Sequence, residues 1–152
     1  MSYPVFAGGG VASDSIAHLA EDDSVSGTTL VNTDLLFAAE ASSEYAFFLY
    51  AGFLGNNTGN GQISFSGPSG ADGRIGGIIH STTSSFAVMT VQMGLTSEQF
   101  EAEVADERWV QVGGYAVTDT TAGNIVIQIA QVINSGSLTL FDGSYIAYWK
   151  VK

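Results

Sequence analysis

A chain of 152 residues is long enough to bury one full core and of ordinary size for a single domain. It has no cysteine, which excludes a disulfide framework and a thiolate metal site, and its 15 acidic against 4 basic residues, a formal net charge of -11, would repel a phosphate backbone. Only 12% of residues are charged while 45% are hydrophobic, against a usual charged share of about 25%, a balance that favours a protein hiding further surface in contacts between copies of itself.

The chain opens MSYPVFAGGG, which lacks both the basic start and the long apolar core of a secretory signal, and no stretch approaches the roughly 18 apolar residues of a membrane span. Synthesis and action in the cytoplasm of the producing cell are expected, with neither membrane nor nucleic acid as partner. Residues 1–27 read as an N-terminal arm. They hold the run Gly8, Gly9 and Gly10, a candidate short helix with Ser13 as cap and Asp14 to Ala20 as body, and an acidic patch at Glu21, Asp22 and Asp23. Such an arm is either a loose terminus or an extension lying on a neighbouring subunit, with Tyr3, Val5 and Phe6 as apolar anchors.

From residue 28 to 152 the pattern is a single domain of short strands parted by Gly, Ser and Asn. Leu30 to Asn32 and Leu35 to Ala39 are brief β-type runs broken near Thr33 and Asp34. Glu44 to Leu54 is a long run, with Tyr45, Phe47, Leu49 and Phe53 on one face and the equally apolar Phe48, Tyr50 and Leu54 on the other. A strand wet on neither side is central in a sandwich with a second layer over it, or is covered by another copy. The turn-rich loop GNNTGNG at 55–61 leads to a strand at Gln62 to Ser66, with Ile63 and Phe65 inward. SGPSGADGRIGG at 66–77 reads as a glycine-rich connection carrying Arg74, after which Ile78 and Ile79 start a further strand. Ser85 to Met93 alternates, with Ala87, Met89, Val91 and Met93 on one side.

Leu95 to Arg108 is the one helical candidate in the body of the chain, with Thr96 or Ser97 as cap and Glu98 in the first turn. Gln99 to Ala105 also alternates as a strand, with Glu101 and Glu103 outward, and the strands on both sides favour that reading. Trp109 to Thr118 is another strand, whose Gly113 and Gly114 predict a bulge or a close approach. Asn124 to Asn134 places Ile125, Ile127, Ile129 and Ile133 on one side. In the closing run Tyr145, Ala147, Trp149 and Val151 alternate with Ser144, Ile146, Tyr148 and Lys150, so the chain ends inside a sheet. Eight or nine strands in roughly 120 residues predict an all-β fold, a two-sheet jelly-roll sandwich of about eight strands. An immunoglobulin-type domain fits less well without its Cys-Trp-Cys signature.

The order of TDLLFAA at 33–39, EYAFFLY at 44–50, SFSGPSGADG at 64–73, IVIQIAQ at 125–131 and LFDGSYIAYWKV at 140–151 resembles small jelly-roll virion proteins of tailed bacteriophages. These are capsid decoration, or cement, proteins and related head or tail domains, similar in fold to tumour-necrosis-factor-like trimers. Ala130-Gln131 and Asp142 to Tyr145 are the best matches. The resemblance implies a homotrimer seated on the outside of a shell and locking neighbouring capsomers, with the major capsid protein or another virion protein as partner and the virion as location. It carries no catalytic residues. On the residues themselves, Phe48, Tyr50, Leu54 and Tyr148 are the candidates for a face between copies, unless Phe48 and Tyr50 lie beneath the arm of their own chain.

Catalytic and ligand sites are weakly supported. His18 and His80 are the two histidines, and no nucleophile-elbow pattern fixes a Ser-His-Asp group around either. Glu101 and Glu103 suit an acidic edge that discourages strand pairing better than a glycosidase pair. Asp22, Asp23, Asp72, Asp119 and Asp142 are loop oxygen donors without the spacing of a calcium loop, and Gly70 to Arg74 lacks phosphate-loop spacing. No enzyme activity, cofactor or metal is expected. The rival is a carbohydrate-binding or host-attachment jelly roll, in which the 55–61 loop beside Tyr115 or Trp109 supplies amides and an aromatic platform. Burial of both Trp109 and Trp149 is expected of the structural role, and one wet tryptophan of the sugar-binding role.

Overall fold

The computed structural model describes residues 16–55, 60–81, 86–94, 97–100, 107–133 and 136–152. Every regular element among them is a strand. They are β1 (Ile16–His18), β2 (Asp23–Val25), β3 (Val31–Ala39), β4 (Glu44–Gly55), β5 (Gly61–Ser66), β6 (Asp72–Ser81), β7 (Phe86–Gln92), β8 (Glu98–Phe100), β9 (Glu107–Val117), β10 (Gly123–Gln131), β11 (Leu138–Leu140) and β12 (Tyr145–Lys150). Two antiparallel sheets pack into a β-sandwich. The larger runs β1-β12-β4-β9-β6-β7, with β11 continuing β12 along β4 and β2 added outside β11; the smaller runs β3-β10-β5-β8. Outside the β6–β7 hairpin the long strands alternate between sheets, β3, β5 and β10 in the smaller and β4, β9 and β12 in the larger. No helix among the described residues is long and apolar enough to cross a membrane.

Period-two alternation produces the core. On β4 the side chains of Tyr45, Phe47, Leu49, Ala51 and Phe53 all turn inward and are buried, facing Ile125, Ile127 and Ile129 of β10 and Ile63 and Phe65 of β5. Rings of Phe37, Tyr45, Phe47 and Phe65 meet at tilted angles with centroids 5.6 to 5.9 Å apart, filling the space between the sheets. The C-terminal residues are tied in as the alternation predicts. Val151 N donates to Glu44 O at 2.7 Å, and Lys150 Nζ reaches Glu40 Oε2 at 2.8 Å, a hydrogen bond that raises the lysine above its ordinary pKa.

Several expectations are corrected. Ile16–His18 is not helical: it forms an antiparallel edge strand against β12, because the pairing of Ile16 with Ala147 and His18 with Tyr145 outweighs a weak local helix signal. With Leu19 and Val25 buried and β2 paired to β11, residues 16–25 belong to the sandwich and not to a separate arm. Ser13, Asp14 and the anchors Tyr3, Val5 and Phe6 lie outside the described residues, as do Asn56 to Gly59, Glu101 and Glu103. The segment expected as helix or strand is a strand at Glu98–Phe100. Ile133, expected on the inner side, is exposed beyond the end of β10.

The break expected near Thr33 is a bulge inside one strand. Asn32 pairs with Gln128 and Leu36 with Val126, so β3 spends four residues where β10 spends two. Buried Thr33 holds the irregularity: its Oγ1 donates to Ile127 O at 2.9 Å and accepts from Leu35 N at 3.2 Å.

The second half of the glycine-rich stretch expected as a connection, from Asp72 onward, is strand β6. Gly70 does turn the chain, at a φ of 80°, but the glycines inside β6 serve close approach: a Cβ at Gly77 would lie 2.3 Å from Gln111 O of β9. The paired glycines of β9 divide the same way, and no register shift occurs at either. A Cβ on Gly114 would sit 2.6 Å from the Phe47 ring and 2.8 Å from Arg74 O, whereas one on Gly113 would meet nothing closer than Phe47 O at 4.0 Å. Gly114→Ala is therefore expected to cost about 1–3 kcal/mol in urea unfolding, and Gly113→Ala less than about 0.5 kcal/mol. Equal effects would contradict this packing.

Candidate functional site

The outer face of the larger sheet is where the fold leaves apolar area unspent. Each strand there presents every second side chain away from the core, and the registers align these into cross-strand rows. One row reads Trp149, Ala46, Tyr115, Arg74 across β12, β4, β9 and β6. The next reads Ile16, Ala147, Phe48, Gly113, Gly76, beginning on β1. A third reads His18, Tyr145, Tyr50, Gln111, Ile78. Exposure is high at Ile16 (50%), Trp149 (48%), Tyr115 (47%), Ile78 (46%) and Phe48 (36%). The carboxylates fall at the margins, Glu44 and Asp72 at one end of the rows and Glu107 opposite Leu54 at the other.

Part of this face seals itself. Tyr50 is stacked between Trp109 at 5.0 Å and Tyr145 at 5.6 Å, and Trp109 also meets Phe141 at 6.5 Å, so four rings form a half-buried ladder over Gly52. Glycine is required beneath it, because a Cβ on residue 52 would lie 2.7 Å from the Trp109 ring.

The residues expected to form a face between copies divide accordingly. Phe48 stands on the outer face and is exposed; Tyr50 and Leu54 are on it but half-buried. Tyr148 is not on this face. It pairs with Phe47 on the inner side and stacks on Phe37 at 4.3 Å and 13°, so it serves the core. The arrangement adds Trp149, Tyr115, Ile16 and Ile78, which sequence reasoning left out. The alternation Trp109, Gln111, Gly113, Tyr115 along β9 was the signal for Tyr115; the exposure of Trp149 needed the position of β12 near the sheet's margin.

Burial of both tryptophans does not occur within one chain: Trp109 is half-buried and Trp149 is open. Of the two rings weighed beside the 55–61 loop, Trp109 lies opposite Gly52, three residues along β4 from Gly55, and Tyr115 does not lie near it. Tyr115 lies opposite Ala46, nine residues along β4 from Gly55, roughly 30 Å away.

At the end of the sandwich nearest β1, His18, Glu21, Asp22, Asp23 and Asp34 line a cleft of about 310 Å³. Its carboxylates hold backbone: Asp22 Oδ1 accepts from Asp142 N at 2.8 Å and Asp23 Oδ2 from Asp34 N at 3.1 Å. Among the described residues no group of three or more His, Cys, Asp or Glu side chains is arranged to hold a metal ion. The side chain of His80 lies outside the described residues.

Comparison with family models, curated proteins and solved structures finds no match to this chain. The chemistry of the outer face is apolar and aromatic, able to bury area against another flat surface or to stack on sugar rings. Gly52→Ala is expected to push the Trp109 indole off its seat, weakening the near-ultraviolet circular dichroism of the ring ladder and costing about 1–3 kcal/mol of stability. An unchanged spectrum would show that the ladder does not depend on this seat.

Proposed function

We propose that the chain is a structural protein of a bacteriophage virion, a homotrimeric capsid decoration protein that binds the outer surface of the shell and stabilises it. The observation that carries this reading is the outer face of the larger sheet, whose exposed Trp149, Tyr115, Ile16 and Phe48 lie in adjoining rows with Arg74 beside Tyr115 and the carboxylates at the margins. A chain with so few charged residues gains most by burying such a face against sister copies, at about 25 cal/mol per Å². The strand order supports a jelly-roll wind: without the β6–β7 hairpin the sheets read β1-β12-β4-β9 and β3-β10-β5-β8. In this proposal the role is assembly, without catalysis or cofactor. The partners are the sister subunits and the major capsid protein or another virion protein, and the location is the virion.

A second reading is favoured by one observation. Trp149 and Tyr115 flank Ala46 in a single row, two strand spacings or about 10 Å apart, which is a platform on which sugar rings can stack. A carbohydrate-binding or host-attachment module uses these rings free, whereas the trimer covers them.

The trimer reading expects the solution mass to be three times that of the chain, and Phe48→Glu to return it to one while circular dichroism keeps the β spectrum. A monomeric wild type that binds glycans with quenching of tryptophan fluorescence supports the second reading instead. Virions lacking the protein should lose their shells sooner in heat or low salt. Equally robust shells would overturn the cementing role.

A further inference from the structure

The row that holds Trp149 and Tyr115 continues past them. Arg74 on β6 pairs with Tyr115, and Gln92 on the edge strand β7 pairs with Arg74, so the row reads Trp149, Ala46, Tyr115, Arg74, Gln92. Over the same strands the next row is bare: Phe48 is followed by Gly113 and Gly76, and then by Thr90 of β7. Side chains return one row further on, at Gln111 and Ile78. Two adjoining glycines therefore floor a shallow trough, with exposed Tyr115 and Arg74 on one side and exposed Gln111 and Ile78 about 13 Å across on the other. Phe48 stands at one end. Of the chain's four cations, Arg108 is buried, Lys150 pairs with Glu40 and Lys152 with Glu44, whereas Arg74 has no ion pair among the described residues. Asp72, two residues away on the same side of β6, turns its Oδ1 to Gly73 N at 2.7 Å.

We propose that the trough and the rings beside it bind an acidic polysaccharide, a glycan whose sugars carry carboxylates. Sugars of the chain stack on Trp149 and Tyr115, and the next one lies over Gly113 and Gly76 with its carboxylate accepting from the Arg74 guanidinium. The inference rests on the sugar-binding reading of this row, with its rings free of a sister copy, and names the class of glycan. Charge complementarity decides that class: a planar guanidinium donates two parallel hydrogen bonds to a carboxylate, and they strengthen beside apolar rings that exclude water. Glycine supplies the shape, because bare backbone lets a sugar lie at the foot of the Tyr115 and Arg74 side chains. An acidic peptide offers the carboxylate without the regularly repeated rings that two stacking residues engage together. The net charge of -11 repels any polyanion at a distance, so affinity has to come from these short contacts.

The test is calorimetric titration of the full chain with hexasaccharides of hyaluronan and of alginate, against neutral chitohexaose and a glutamate hexapeptide. At least one acidic glycan should bind about tenfold more tightly than chitohexaose, and Arg74→Gln should remove that preference while leaving the neutral affinity unchanged. Trp149→Ala should weaken acidic and neutral glycans alike, by about threefold to tenfold. Gly113→Val, whose side chain has room in the fold but fills the trough, should lower acidic-glycan affinity at least about threefold, with circular dichroism unchanged. Equal affinity for acidic and neutral glycans, or no loss in Arg74→Gln, would overturn the carboxylate contact and leave the stacking platform standing. A glutamate hexapeptide that binds as tightly as the acidic glycans would overturn the glycan class. Binding of none of the glycans would overturn both this site and the sugar-binding reading beneath it.

Discussion

The structure depends on β4 having to bury two faces at once. Its inner row, Tyr45, Phe47, Leu49, Ala51 and Phe53, is fully committed to the space between the sheets, so β4 must lie centrally, with β12 and β11 on one side and β9 on the other. Once it is central, its outer row cannot reach the core, and Phe48, Tyr50 and Leu54 must be satisfied locally or by another molecule. The fold does some of each. Tyr50 is stacked by Trp109 and Tyr145, while Phe48 stays open beside the glycines of β9 and β6.

Glycine is what allows the larger sheet to be packed this closely. Gly52, Gly77 and Gly114 each lie where a methyl group would meet a ring or a carbonyl at under 3 Å. Gly52 seats the outer ladder, whereas Gly114 lets the Phe47 ring lie against β9 from inside. Both functions belong to one sheet, and both depend on strands whose flanking residues have enough β preference to tolerate the entropic cost of glycine. The sheet is consequently smooth on its outer face where Gly113 and Gly76 follow Phe48 in the row, a surface suited to close contact with another flat one.

Much of the fold was legible because alternation of apolar residues is a local property of strands. The runs at β4, β5, β9, β10 and β12 could be placed from their period alone, as could the inward direction of Ile127, whereas the period put Phe47 on one of two equally apolar faces. Misreadings came where a residue type has two physical uses. Gly73 and Gly77 signal turns when read one at a time, yet they lie in β6 because β9 comes close enough to exclude side chains. Thr33 and Asp34 signal a break, and the chain instead bulges while its ladder continues, because the Thr33 hydroxyl substitutes for the missing backbone pairing. Ile16–His18 was misassigned because three residues hold no period, and only the free edge of β12 decides what they become.

For the candidate site, the sequence by itself determined that β4 would be apolar on both faces and that the chain would end in a strand. It could not decide which of Tyr148 and Trp149 faces outward, because alternation fixes only that the two point oppositely. The pairing of Tyr148 with Phe47 decides it, turning Tyr148 onto Phe37 and leaving Trp149 open. Nor could it align Trp149 with Tyr115 and Arg74, since these sit on three strands far apart in sequence, brought into one row by registers that depend on every strand between them. Periodicity is written in neighbouring residues, whereas a row across a sheet exists only once distant strands have paired.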